Sequence, residues 1–112
     1  WSTANLSQAR FVGASASVRN KLLFAGGRQV LAYSNRVDMY DVVTGATSTY
    51  TLSQSRHNMA VATVGNKVIF AGGECGSIIN AKYASSNKVD IYDYLHMYLQ
   101  IINKRISLIL DS

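Results

Sequence analysis

Residues 22–27 read LLFAGG, and residues 68–73 read VIFAGG. A short apolar run that stops at two glycines is the pattern of a buried strand ending where the backbone turns through angles disfavoured for a side chain. The surroundings return with it. Set beneath residues 47–73, residues 1–27 are identical at 15 of 27 positions, among them Leu6-Ser7-Gln8, Arg10, Ala14, Ala16, Val18 and Asn20-Lys21. Beyond the glycines the offset changes from 46 to 52, and SNRVDMYD at 34–41 matches SNKVDIYD at 86–93. The second copy therefore carries six further residues between its glycine pair and its Ser-Asn, where a surface loop tolerates them.

Each copy parses into short strands. Residues 11–18 and 57–64 place Ala or Gly at alternate positions, which suits strands whose neighbours approach closely. Arg19-Asn20 and Gly65-Asn66 read as two-residue hairpin turns, the first relying on its Asn. Residues 21–25 and 67–71 are apolar strands that look covered on both faces. Residues 36–40 and 88–92 alternate apolar with charged side chains, the pattern of a half-buried strand. Asp41 and Asp93 start turns, completed in the first copy by Thr44-Gly45, and residues 47–52 are the last strand of that copy.

A chain of 112 residues with 48% hydrophobic and 15% charged residues has a globular composition, with room for one modest core. No proline is present, so Gly, Asn, Asp and Ser must make the turns. The formal charge of +5 is spread along the chain in runs no longer than Lys104-Arg105. Scattered charge of this kind argues against a nucleic-acid partner. No apolar run reaches the roughly 18 residues of a membrane span, and none is expected. The single cysteine, Cys75, cannot close an intrachain disulfide, and no Cys/His cluster offers a metal site. With no charged-then-apolar leader in view, these features favour the cytoplasm.

The ordered set of a small-residue strand, an apolar strand ending in Gly-Gly, a loop, Val-x-x-Tyr-Asp, a Thr-Gly turn and a strand carrying Trp resembles the kelch repeat, the four-stranded blade of a β-propeller. The resemblance covers residues 1 to about 93. It implies an all-β fold of antiparallel blades, with residues 1–9 the outer strand of a preceding blade and a linker, 10–52 one blade, 53–102 a second, and 103–112 a divergent extension. It also assigns Gly26, Gly27, Gly72 and Gly73 to the diglycine, Tyr40 and Tyr92 to the tyrosine that packs between blades, and Trp1 to the tryptophan position of the preceding blade. Thr47 stands where the first copy should carry its Trp. After Asp93 the pattern is lost, and the apolar segment 94–110 reads either as a rim strand at 97–102 with a hairpin into 106–110, the preferred reading, or as a helix with Leu95, Tyr98, Leu99, Ile102, Ile106 and Ile109 near one face.

Two blades and a strand do not close a ring, so partners follow from the architecture: further blades, or copies of the same chain. The function expected is a protein-interaction scaffold without catalysis or cofactor. The alternatives are one sector of a carbohydrate-active or galactose-oxidase-like propeller enzyme, and a truncated fragment with no independent function. Candidate partner-binding residues are Arg10 and Arg56, which precede the first strand of each copy and could receive an acidic peptide, and the loop residues Arg28, Tyr33, Glu74, Lys82 and Tyr83. For Arg10 and Arg56 the competing reading is structural, each bonding loop carbonyls. The repeated Asp38, Asp41, Asp90 and Asp93 suit turn-making and pairing with Arg36 and Lys88 along the strand. His57, His96 and Cys75 show no spacing of a metal or nucleophile site.

Overall fold

A computed structural model describes residues 1–110 of the chain. Its elements are nine strands and one helix. The strands β1 (Ala14–Val18), β2 (Lys21–Arg28), β3 (Tyr33–Asp41) and β4 (Thr47–Thr51) form an antiparallel meander in the order β1-β2-β3-β4. The strands β5 (Ala60–Val64), β6 (Lys67–Ala71) and β9 (Val89–Asp93) form a second antiparallel sheet, β5-β6-β9. Between β6 and β9, β7 (Glu74–Ser77) and β8 (Lys82–Ser85) make a separate hairpin. The helix α1 (Tyr94–Leu110) follows β9 directly. The chain is thus mostly β, in open antiparallel sheets.

The sequence repeat reappears as matched strand register. Ala14 lies opposite Ala25 and Val18 opposite Lys21 in the first sheet, as Ala60 lies opposite Ala71 and Val64 opposite Lys67 in the second. Lys21 pairs with Asp41, and Lys67 with Asp93. The first strands are shorter than residues 11–18 and 57–64, because Phe11 and His57 make only isolated bridges, to Arg28 and Glu74. Of the hairpin residues, Arg19 rather than Asn20 takes the left-handed conformation (φ 53°), where the second copy has Gly65 (φ 56°). The six additional residues have become the β7–β8 hairpin. Its counterpart in the first sheet is the tight turn in which Gln29 N donates to Ala32 O at 2.9 Å.

The diglycines are required by space as well as angle. Gly26 and Gly27 have φ of 60° and 116°, and a Cβ on Gly27 would run into the Phe11 carbonyl of the neighbouring segment. A Cβ on Gly73 would lie 2.6 Å from the His57 carbonyl, the same collision one copy later. Close backbone approach of this kind admits only glycine.

The core lies between the two sheets. Val18, Leu23, Ala25, Val37 and Met39 face across to Val68 and Phe70, with Leu52 and Met59 from the connecting segment and Tyr92 and Tyr94 at its margin. Because the strand period is two, one face of the first sheet meets the opposite face of the second, front to back. Burial pushes the Tyr92 phenol up to about 12, with Tyr50, Tyr94 and Asp93 adding to the shift; the Tyr50 ring sits 6.5 Å away.

The C-terminal segment departs from the preferred reading. Residues 94–110 form one continuous helix, with neither the rim strand at 97–102 nor the hairpin into 106–110, and the helix passes through 102/103 without a break. The fold is therefore β with a terminal helix, and the second sheet has three strands where the first has four. The local cause is Asp93. In the first copy the equivalent Asp41 accepts the N–H groups of Val43 and Thr44 at 2.9 and 3.0 Å and closes a turn that Gly45 (φ 75°) completes. With no Thr-Gly to follow, Asp93 accepts the N–H of His96 at 3.1 Å and becomes a helix N-cap. Leu, Met, Gln and Lys then carry the helix past its β-branched Ile residues. Its residues are not buried.

Candidate functional site

Arg10 and Arg56 point inward. Arg10 Nε donates to Gly26 O at 2.7 Å, Nη2 to Phe24 O at 3.0 Å and Arg36 O at 3.2 Å, and Nη1 to Asp38 Oδ2 at 2.8 Å. Arg56 Nη1 donates to Gly72 O at 2.8 Å and Lys88 O at 2.9 Å, and Nη2 to the Asp90 carboxylate. Both side chains are fully covered. Each guanidinium bonds the carbonyls of the strand that ends in the diglycine and a carboxylate of the next strand, so the two arginines brace the sheets from within. Neither presents its charge to an acidic peptide.

The rest of the repeated motif completes the brace. Ser7 N and Ser53 N each donate at 3.1 Å to the paired carboxylates, Asp38 and Asp90. Ser34 Oγ donates to Gln8 Oε1, and Ser86 Oγ to Gln54 Oε1. Burial alone would raise the Asp38 carboxyl, but the hydrogen bonds from Ser7 and Arg10 outweigh it and hold the group below its usual range. The aspartates thus pair with arginines distant in sequence, Arg10 and Arg56, and not with Arg36 and Lys88. Asp41 and Asp93 meet Lys21 and Lys67, at 2.6 and 3.8 Å.

The loop candidates assemble differently. Arg28 ends β2, Tyr33 begins β3, Glu74 begins β7 and Tyr83 lies on β8, so two hairpins bring four residues from both copies to one open cleft of about 460 Å³. Tyr33 donates from its hydroxyl to Glu74 Oε2 at 3.4 Å. Burial raises the Tyr33 phenol, and the Glu74 carboxylate raises it further, so the hydroxyl keeps its proton and remains a donor. Arg28 and Tyr83 are exposed at the cleft, which therefore offers a cation, a carboxylate and two phenol rings. Lys82 stands on β8 opposite Ser77, exposed and outside the residues lining the cleft.

A second opening of about 650 Å³ adjoins it, lined by Arg28, Phe11 and the turn at Val30 and Leu31. These apolar side chains are exposed. The sequence places Phe11 on a regular strand and singles out Arg28 and Tyr33 in the turn but not Val30 and Leu31, whose exposure follows from the isolated bridge at Phe11 and the tight closure between Gln29 and Ala32. Cys75 is buried, its Sγ 3.5 Å from Ala84 O, whereas His96 is exposed on α1 within reach of Gln100. Among the described residues, no group of three or more His, Cys, Asp or Glu is placed to hold a metal ion. No helix among them is long and apolar enough to cross a membrane.

Of the remaining assignments, Trp1 is exposed, Tyr40 lines a groove on the outer face of the first sheet, and Tyr92 packs at the margin of the core. No family model matches the sequence, and no curated protein matches it.

Proposed function

We propose that the chain is a sector of a kelch-type β-propeller that serves as a protein-interaction scaffold, receiving a peptide segment in the cleft of Arg28, Tyr33, Glu74 and Tyr83. The observation that carries the reading is the convergence of four residues at the ends of two hairpins, drawn from both copies, on one open cleft, in a chain whose sheets are each braced by a buried arginine. Rigid sheets that hold polar and aromatic side chains at loop ends are suited to binding, because little order remains to be lost when the partner docks. Arg28 would take a carboxylate of the peptide, Glu74 a donor, and the Tyr83 ring its apolar stem. The meander order of the first sheet and the matched registers of both sheets support the propeller architecture. The reading is one of binding without catalysis.

A displayed peptide library panned against the chain tests it. Enriched sequences should carry an acidic residue, and their binding should be lost on Arg28→Glu with Tyr83→Ala, while Lys104→Ala on α1 leaves it unchanged. Enrichment of peptides indifferent to the cleft substitutions would refute the assignment.

A further inference from the structure

The two sheets have equivalent faces with unlike fates. Val18, Val37 and Met39 of the first sheet are 3%, 6% and 7% exposed because the second sheet covers them, whereas their counterparts Val64, Val89 and Ile91 are 65%, 56% and 61% exposed. The chain thereby contains its own description of what covers such a face: the opposite face of a neighbouring sheet, presenting Val68, Phe70 and Tyr92, with Leu52 ahead of it. The first sheet carries the same set on its outer face, Leu22, Phe24 and Tyr40, with Leu6 beside them around an open apolar groove of about 440 Å³. Three large side chains at this junction lack a counterpart of like size: Gly13 stands in the place of Met59, Ala4 in that of Tyr50 and Val42 in that of Tyr94.

The main chain is complementary as well. Where the sheets meet, Gly27 N donates to Arg56 O at 2.7 Å, Arg56 N to Ser34 O at 3.1 Å, and Leu52 N to Asn35 O at 2.7 Å. The corresponding groups at the two open ends, Gly73 N, Ser86 O and Asn87 O on one side and Arg10 O, Arg10 N and Leu6 N on the other, make no such bonds among the described residues. A Cβ on Gly26 would meet Arg56 O at 2.6 Å, yet on Gly72, at nearly the same φ, it meets only Ser86 O at 3.5 Å. The second glycine pair faces the space that a neighbour fills at the first.

A strand is missing in the same place. β3 is flanked by β4, but among the described residues no strand pairs with the outer edge of β9. Residues 1–6, the sequence equivalent of 47–52, are exposed and belong to no strand. An unpaired edge and an unpaired strand of matching sequence are a donor and an acceptor for strand addition.

We propose that copies of this chain associate head to tail, the outer face of one first sheet closing over the exposed face of the next copy's second sheet, and residues 1–5 adding as a fourth strand to β9. The contact is heterologous, each copy using one surface to give and the other to receive. Register follows from β3–β4, in which Val37 lies opposite Tyr50 and Met39 opposite Ser48. Transferred between copies, Ala4 lies opposite Val89, and Ser2 opposite Ile91.

Disulfide trapping in a Cys75→Ser background tests this. Two separately purified full-length chains, one with Ala4→Cys and one with Val89→Cys, are mixed and oxidised, and Asn5→Cys with Val89→Cys is the off-register control. A mixed covalent dimer for the first pair, lost in the control and lost again when excess chain without either cysteine is added, supports the proposal. Light scattering should show assemblies that fall to monomers when residues 1–5 are deleted, with the circular dichroism of the sheets retained. No mixed dimer, equal trapping in both registers, a monomer at every concentration, or a crosslink formed only within a chain carrying both cysteines would overturn it.

Discussion

Arg56 and Asp90 form an ion pair inside the second sheet that repeats, position for position, the pair between Arg10 and Asp38 in the first. The members of each pair lie on different strand-bearing segments, and the guanidinium also bonds the carbonyl of the first glycine of the pair, Gly26 or Gly72. A charge brought into a sheet interior must be matched there, and here a carboxylate and carbonyls match it, through Nε, Nη1 and Nη2 at Arg10 but through Nη1 and Nη2 alone at Arg56, whose buried Nε has no partner.

Removing the guanidinium strands those acceptors. Arg56→Ala is expected to destabilise the chain by about 3 kcal/mol or more, because the Gly72 and Lys88 carbonyls lose the guanidinium and Asp90 keeps only its bonds from Ser53. Arg36→Ala, at a partly exposed side chain bonded to Ser7 Oγ, should cost about 0.5 kcal/mol or less. Urea unfolding followed by circular dichroism measures both. Equal losses would mean that the inward arginine is not a brace.

The glycines separate conformational strain from collision. At Gly65 (φ 56°) a Cβ meets nothing within 4 Å, so Gly65→Ala should cost only the left-handed conformation, about 1 kcal/mol. At Gly27 the Cβ has no room beside the Phe11 carbonyl, and Gly27→Ala should exceed about 3 kcal/mol or abolish folding. Thermal melts of the two variants give the comparison directly.

Much of this was legible beforehand, since a strand's apolar alternation and a diglycine are local signals, and a repeated local signal reports its own spacing. The offset of 52 located the β7–β8 insertion to within the loop that holds it. The partners of Asp38 and Asp90 were not legible. Arg36 and Lys88 are two residues away and on the same strand face, whereas Arg10 and Arg56 reach the carboxylates only once the sheet has folded. Of the two readings that 94–110 allows, the strand is preferred and the helix forms: Ile is frequent at 101–109 and the preceding elements are strands, yet the N-cap that Asp93 supplies when no Thr-Gly follows it outweighs β propensity. At the cleft, loop length singled out Glu74 and Tyr83 but not their approach to Tyr33 across the two copies.

Acid should loosen the sheets through their aspartates. The Lys21 ammonium, then the Thr44 and Val43 N–H groups, hold Asp41 well below the usual carboxylate range, and Asp38 is also lowered. A depressed folded-state pKa means that the unfolded chain takes up the proton first. The contribution is therefore full above about pH 4 and is lost as pH falls through the folded-state values. Urea midpoints should drop on acidification below that point, and Asp41→Asn should drop less steeply. A midpoint that rises on acidification would contradict the sign.

The helix is expected to contribute little to the sheets. Its residues are not buried, and those that approach the core lie in its first turns, Tyr94 packing against it and Met97 lining a cleft beside Leu52 and Phe70. A chain ending at residue 98 should lose helical circular dichroism yet keep its unfolding midpoint within about 0.5 kcal/mol equivalent. A large fall would place a stabilising contact on the distal turns.

The front-to-back stacking of the two sheets carries the whole description, and the most direct probe of it is a methyl-to-aromatic nuclear Overhauser spectrum of the chain in solution. Cross-peaks from the Phe70 ring to the methyls of Leu23 and Val37 are expected, since these side chains share one core. Their absence, with the Phe70 ring reporting only on neighbours within its own sheet, would show that the sheets do not close on one another.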